Sequence, residues 1–353
     1  MIKKSTSTTC MLLALVLFSL ALKSSHGFIN NPSNNVKAKL FKNQRIINDQ
    51  ESTWSSSSIG LYEGCTPLNN NNKDITTIRR RQQRTKLGAT SPIIGALTKS
   101  IFSYQGNVPL SQAFALNAFL FTILRTKLLK MLTIEGFFHS LFLGTALWTT
   151  LGWRGWTTCV VYLLLGSAVT KVKMQEKEKL GIAEGRGGRR GPENVWGSAA
   201  TGLVCALCAV QGPKFLGIPS NMYVLGYVAS LATKLSDTFA SEIGKAYGKT
   251  TFLITTLERV LPGTEGAVSL EGTAASIVGG TLMSLYGLSI GLISRPAVPI
   301  SIFAAFVATN IESVLGATLQ GKDNLKWITN EVVNFLNTLI GAAVAIFCGM
   351  SFL

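Results

Sequence analysis

The chain has 353 residues, 47% of them hydrophobic and only 14% charged, whereas an ordinary soluble domain carries about 25% charged residues. That shortfall excludes the usual water-soluble enzyme class and points to a chain whose solvent is largely lipid. The net charge of +16 does not mark a nucleic-acid binder. Residues 1–100 hold 14 of the 33 Lys and Arg but only 4 of the 17 Asp and Glu, and the rest lacks a basic stripe with interleaved aromatic residues.

At the N-terminus, Lys3 and Lys4 precede an apolar run, Met11–Leu22, and small residues lead to Phe28. Twelve residues make about 18 Å of helix, too short for a hydrocarbon core of about 30 Å, so residues 1–27 read as a signal peptide. Residues 28–88 are rich in Asn, Ser and Arg (Arg79, Arg80, Arg81, Arg84), poor in acids, and without apolar periodicity. That composition predicts a disordered, transit-peptide-like segment. The two in series match a bipartite plastid presequence; a secreted protein with a disordered head is the alternative. Residues 89–353 are expected to form one polytopic domain.

From Val108 onward, apolar runs recur near 108–124, 134–150, 155–172, 195–212, 215–233, 267–293, 297–318 and 332–352. Their length and continuity predict an all-α polytopic membrane protein with about seven to eight transmembrane helices, the first being the least clear. Loops after the odd-numbered runs carry 16 Lys and Arg, against three (Arg154, Lys214, Arg295) on the other side. By the positive-inside rule the rich face would point to the stroma of a plastid. Cys205 and Cys208 form a C-x-x-C inside an apolar run with no second ligand pair, and read as packing residues.

The basic face also holds the unusual sequences. In Glu184–Trp196, Gly185, Gly187, Gly188 and Gly191 let backbone N–H groups approach an anion. Arg186, Arg189 and Arg190 add forked donors suited to phosphate; a flexible positive-inside loop is the alternative, but Glu184, Glu193 and Asn194 serve no topological purpose. In Thr233–Thr250, Asp237, Ser241 and Gly244 fall on one face of a helix. Asp237 reads either as a Mg²⁺ or phosphate-site ligand or as an interfacial acid paired with Lys234. Gly244–Thr250 is not a P-loop, since it has three residues between its glycines where four are needed.

Pro262–Thr273 is a turn-rich entry to a helix N-terminus, a place that favours phosphate, with an ordinary polar helix cap as the alternative. Gly263, Thr264, Gly266, Ser269 and Gly272 belong to it, and Glu265 and Glu271 call for a metal between themselves and an anion. Asn310 and Glu312 lie inside the seventh run, and Asn330, Glu331, Asn334 and Asn337 open the eighth. These polar groups read equally as functional sites or as helix–helix hydrogen bonding. Glu135 and His139 form no recognisable catalytic set.

These segments in this order carry a resemblance. Gly-Gly-Arg-Arg-Gly-Pro-Glu-Asn-Val-Trp-Gly-Ser, then Leu-Ser-Asp237-Thr-Phe-Ala-Ser-Glu-Ile-Gly-Lys, then Pro-Gly-Thr-Glu-Gly-Ala-Val-Ser-Leu-Glu-Gly-Thr is similar to the chloroplast phytyl-phosphate kinases of the vitamin E pathway, from about Ile134 to the C-terminus. A looser likeness reaches the CTP-dependent phytol and dolichol kinases, which pair an Asp-x-x-Ala helix with a later Gly-x-x-x-Ser-x-Glu-Gly turn. Here Val268 stands where those enzymes often have Lys.

The resemblance implies phosphoryl transfer from a nucleoside triphosphate, CTP in the first instance, to phytyl phosphate, in a plastid envelope or thylakoid membrane. The expected partners are the lipid environment, the prenyl phosphate and the nucleotide. On that reading Asp237, Glu265 and Glu271 hold Mg²⁺ and triphosphate, and Arg189 and Arg190 act with Asp237 on the phosphates. Gly187, Gly188, Ser241, Lys245, Gly263, Thr264, Gly266, Ser269 and Gly272 cradle the nucleotide. Asn194, Asn330 and Asn334 take the acceptor head. A lipid-phosphate cytidylyltransferase and a plastid transporter are the rival readings.

Overall fold

The computed structural model describes residues 108–320, 325 and 327–353. The signal-peptide and transit-peptide readings, and the loop charges Lys322 and Lys326, lie outside these residues. A short helix α1 (Leu110–Ile123) and a single turn α2 (Arg125–Leu128) lead to α3 (Ile134–Thr170), which is broken at Gly152. After α4 (Met174–Lys179) and a 3₁₀ turn (Gly185–Gly188) come α5 (Pro192–Ala209), α6 (Ser220–Tyr247), α7 (Leu270–Ser289), α8 (Ala297–Leu319) and α9 (Asn330–Phe352). Two antiparallel ribbons that the sequence did not announce interrupt the helices. They pair β1 (Lys214–Phe215) with β2 (Ile218–Pro219), and β3 (Thr251–Leu253) with β4 (Ala267–Ser269).

The break in α3 is a reversal. Gly152 has φ 64° and ψ −157°, a conformation open in practice only to glycine. A built Cβ on Gly136 would lie 2.4 Å from the Arg190 carbonyl oxygen, and one on Gly166 would lie 2.8 Å from that residue's guanidinium. Thirty residues of straight helix would separate those two glycines by about 45 Å, so the halves fold back on each other as a hairpin. The second and third predicted spans are its two arms. Trp148 and Trp156 close it with ring centroids 5.0 Å apart. The buried Asn117 clips α1 to it, donating to the Leu141 carbonyl at 2.7 Å and accepting from the Trp156 indole at 2.9 Å.

Helix α6 is the axis. Leu225, Tyr227, Val228, Ala229, Leu231, Ala232 and Leu235 are all at most 1% exposed, and α3, α5, α7, α8 and α9 pack around it. A helix buried on every side belongs to the middle of a bundle. Around the outside, large apolar side chains such as Phe119, Phe138, Leu282, Phe303 and Phe347 stand exposed, a surface suited to lipid rather than water.

The eight predicted segments all return as helix, with moved borders: 195–212 becomes Pro192–Ala209, and 215–233 becomes Ser220–Tyr247. Among the described helices, α8 and α9, each of 23 residues, are long and apolar enough by themselves to cross a membrane. Helix α1, with 14 residues, reaches only about 21 Å. Polar side chains dilute the apolar character of α6, because its far half carries Lys234, Asp237, Glu242 and Lys245.

A polar cavity at the basic end of the bundle

The helices meet at one end around a cavity of about 300 Å³. Its wall is made by the C-terminal half of α6, the entry to α7, the N-termini of α5 and α9, and one face of α8. All of these lie on the side of the odd-numbered, Lys- and Arg-rich loops.

At the floor, α6 presents Lys234 and Asp237, one turn apart. The Lys234 ammonium donates to Asp237 Oδ2 at 2.5 Å and to Asn334 Oδ1 of α9 at 2.6 Å. Both ion-pair partners are largely buried, with side chains 8% and 12% exposed. Unmatched charge at that depth would be costly, and the pair removes the mismatch. One turn further along α6, Glu242 is buried and bonded to the buried ammonium of Lys177, which also donates to the Thr170 carbonyl at 2.8 Å. Lys177 is therefore not a free topology signal. It ties the α4 segment to α6.

The α7 side is built by close approach. Ser269 caps the helix, its Oγ accepting from the Gly272 N–H at 3.1 Å. Gly266 has φ 76° and sits where a Cβ would meet Ala317 Cβ at 2.4 Å and the Ser313 carbonyl oxygen at 2.6 Å. A Cβ on Gly272 would lie 2.7 Å from the Ala240 carbonyl oxygen of α6, and one on Gly248, at the end of α6, 3.0 Å from Ser269 Oγ. The glycines of this motif thus fix helix α7 against α6 and α8, and only through that do they aim its N-terminus at the cavity.

From α5, Pro192 opens the helix and the Asn194 amide oxygen accepts from the Gly191 N–H at 3.0 Å and from Arg186 at 2.7 Å. Arg186 also pairs with Glu193. Glu193 and Asn194 thus shape the loop, a duty the sequence did not disclose. Arg190 is stitched by its backbone to Met131 and Thr133, and its guanidinium donates to Tyr162 Oη at 2.8 Å. Its buried Nε, and the buried Thr309 Oγ1 across the cavity, have no hydrogen-bond partner in the protein.

Of the predicted site residues, Asp237, Arg190, Gly188, Asn194, Ser241, Lys245, Gly263, Thr264, Glu265, Gly266, Ser269, Gly272, Asn330 and Asn334 line this one cavity. Arg189, Gly187 and Glu271 do not. Arg189 is exposed, with its Nε 3.5 Å from the Arg186 carbonyl oxygen. The Glu271 carboxylate receives the Lys249 backbone N–H at 3.4 Å. Glu312, from the seventh run, joins Asp237 and Glu265 in the wall instead, with Ser313 next to it and Asn310 at the edge of that face. Thr170, Ser198 and Ser276 also line it and were missed, since a lone hydroxyl in an apolar helix carries no signal of its own.

Among the described residues, no three His, Cys, Asp or Glu side chains form a ready metal cage. Glu184, Glu265 and Glu312 nevertheless line the wall beside Asp237, which Lys234 holds, and Glu242, which Lys177 holds. Oxygen donors in this number fit Mg²⁺, which is usually held by one or two carboxylates plus substrate phosphates. On α8, Phe303, Ile311 and Val314 face outward as exposed apolar residues. Asn310 lies between that stripe and the cavity face, so polar wall and lipid-facing surface meet there.

Residues 117–342 match the family described as Integral membrane protein DUF92. The chain is 53% identical over 239 residues to the uncharacterized membrane protein sll0875 of Synechocystis sp., covering 67% of this chain and 90% of that one. It is 40% identical over 262 residues to the chloroplastic protein VTE6 of Arabidopsis thaliana, covering 73% and 78% respectively. To the uncharacterized membrane protein MJ0933 of Methanocaldococcus jannaschii it is 31% identical over 218 residues, covering 62% and 85%. No solved structure matches the chain.

Proposed function

The chain belongs to the integral membrane protein family DUF92, and within that family we propose that it is a plastid prenyl-phosphate kinase. It would move the γ-phosphoryl group of a nucleoside triphosphate, CTP in the first instance, onto phytyl phosphate to give phytyl diphosphate. The observation that carries the reading is the cavity itself. Carboxylates, a buried ammonium, an arginine with an unused buried Nε and a capped helix N-terminus converge there, at the rim of a lipid-facing bundle. The similarity to the chloroplastic protein VTE6 supports the plastid address.

The chemistry asks little else of the protein. An oxygen of the prenyl phosphate attacks the γ-phosphorus, the bond from that phosphorus to the β,γ-bridging oxygen breaks, and the nucleoside diphosphate leaves. The attacking oxygen is already ionised at neutral pH, so no general base is required, and alignment with charge neutralisation carries the rate. Mg²⁺, when bound with the nucleotide, would supply neutralisation of the triphosphate, and Asp237, Glu265 and Glu312 are the residues suited to hold it. Arg190 offers a forked donor to phosphate oxygens. The N-terminus of α7 offers N–H groups and a favourable dipole. Asn310 and Asn330 face the acceptor head, which would enter from the bilayer side of α8, and Asn334 stands behind them on Lys234.

Purified protein in detergent should transfer label from γ-labelled CTP to phytyl phosphate, with the product a lipid diphosphate. Label from the α-position arriving in lipid would instead identify a cytidylyltransferase. No transfer from any triphosphate, together with uptake of solute into proteoliposomes, would identify a transporter.

A further inference from the structure

The Lys234–Asp237 pair is in an unusual position for a purely structural bridge. As whole residues the two are 7% and 8% exposed, yet both line the polar cavity rather than a closed helix interface. The ammonium has three N–H donors. Asp237 takes one at 2.5 Å and Asn334 takes another at 2.6 Å. The backbone around them is fixed, since the Thr238 hydroxyl donates to the Lys234 carbonyl at 2.8 Å and Ser236 to the Ser276 carbonyl at 2.8 Å. Lys234 can therefore change partner without any movement of α6. Asn334 is a neutral acceptor, so it can keep hold of the ammonium when the carboxylate is engaged elsewhere.

We propose that Lys234 is the resident counter-cation of Asp237: in the empty site its ammonium occupies the carboxylate that a divalent cation needs. On binding of the cation–triphosphate, Lys234 gives up Asp237, stays on Asn334, and turns its freed donors to a phosphate oxygen. The inference rests on the phosphoryl-transfer reading of the cavity and adds to it a gate. The carboxylate is neutralised when the site is empty, and the ammonium becomes a phosphate ligand only when cation and phosphate arrive together. A buried carboxylate left bare, or an ammonium left bare, would each be expensive, and the exchange avoids both.

The test needs no acceptor and no turnover, so it stands apart from the kinase assay. Full-length protein in detergent is titrated with Mn²⁺, and free ion is read by electron paramagnetic resonance. Lys234→Met should bind Mn²⁺ about tenfold or more tighter than wild type, because the competing cation is gone. The same variant should bind Mn²⁺–tripolyphosphate with less gain than Mn²⁺ alone. Asp237→Asn should lose the site. Equal or weaker Mn²⁺ binding by a Lys234→Met protein that elutes and melts like wild type overturns the proposal.

Wild-type protein supplies an independent arm. Carbamylation of Lys234 by cyanate, followed by mass spectrometry, should rise when Mn²⁺ displaces the ammonium from Asp237. It should fall again when tripolyphosphate is added. Labelling that is indifferent to Mn²⁺ refutes the exchange even if the variants fail to fold.

Discussion

The two ends of the bundle are built from the same helices but from different chemistry. At the basic end, charged side chains are drawn inward: Lys177 with Glu242 and Lys234 with Asp237 are buried ion pairs, and Arg190 is half-buried against Tyr162. At the far end the chain turns by backbone means, through Gly152, the two-residue ribbon β1–β2 and Gly291 with φ 70°. There Arg154 reaches the Gly291 carbonyl at 3.3 Å and lies over the Trp153 ring. Burying charge is costly and is kept in proteins chiefly where it does something besides hold the fold. The far end needs only closure. The contrast supports the proposal that one end works and the other closes the fold, and it can be broken by variants that hurt the wrong property.

The largest effect is expected at Asp237. Asp237→Asn keeps the shape and a hydrogen-bond acceptor for Lys234 but removes the charge. Transfer from γ-labelled CTP should fall by about 10³-fold or more, the scale for loss of a preorganised charge partner in a dry site. Insertion into membranes should persist. Transfer within tenfold of wild type would move the chemistry away from the floor of the cavity.

Next in size is a stability effect at the same end. Lys177→Met leaves the buried Glu242 with only the longer contact to Lys245 at 4.0 Å, at a cost of up to about 3 kcal/mol, the low end for a broken buried pair. Thermal unfolding in detergent should drop accordingly. Adding Glu242→Gln should restore much of it, because the buried charge that Lys245 only partly offsets is then gone. A double variant no better than the single one would show that the pair's value lies in the Lys177 bond to the Thr170 carbonyl.

How far the sequence could be read follows the same division. Apolar runs located all eight helical segments, and the loop charges marked the end at which the polar cavity lies, since membrane burial imposes long, legible patterns. The two ribbons were not legible, being only two or three residues per strand. Motif composition located Asp237, Glu265, Arg190 and the α7 entry, but not their partners. Glu271 and Glu265 look equivalent in sequence. The start of α7 after Ser269 sends Glu271 to the Lys249 backbone while Glu265 stays in the loop at the cavity. Arg189 and Arg190 are likewise neighbours, and only the pairing of the Arg190 backbone with Met131 and Thr133 decides which one turns inward.

That last choice gives the third prediction. Arg190→Met keeps the backbone stitch and loses the guanidinium. It should lower transfer by about 10²-fold, in the range for removal of one charge-stabilising donor, with the loss visible in nucleotide or prenyl-phosphate affinity as well. Arg189→Met, on the exposed side, should change transfer little. Equal losses in the two variants would mean that the loop closes over substrate as a unit.

The smallest effect is expected at the far end, and it is the sharpest check on the contrast. Gly152 holds φ 64° and ψ −157° at the tip of the α3 hairpin. Alanine there must either accept the strained conformation, at about 1–3 kcal/mol, or straighten the chain and lose the contacts between the hairpin arms. The hairpin arms meet at Arg190 through Gly136 and Gly166, so straightening would also dismantle the cavity wall some 24 Å away. Molecules of Gly152→Ala that keep the hairpin should therefore be fewer and melt lower, yet show wild-type transfer per folded molecule and wild-type affinity for CTP. Lowered transfer at normal stability would mean that the far end is coupled to the site by movement of the hairpin, and the separation of a folding end from a working end would have to be given up.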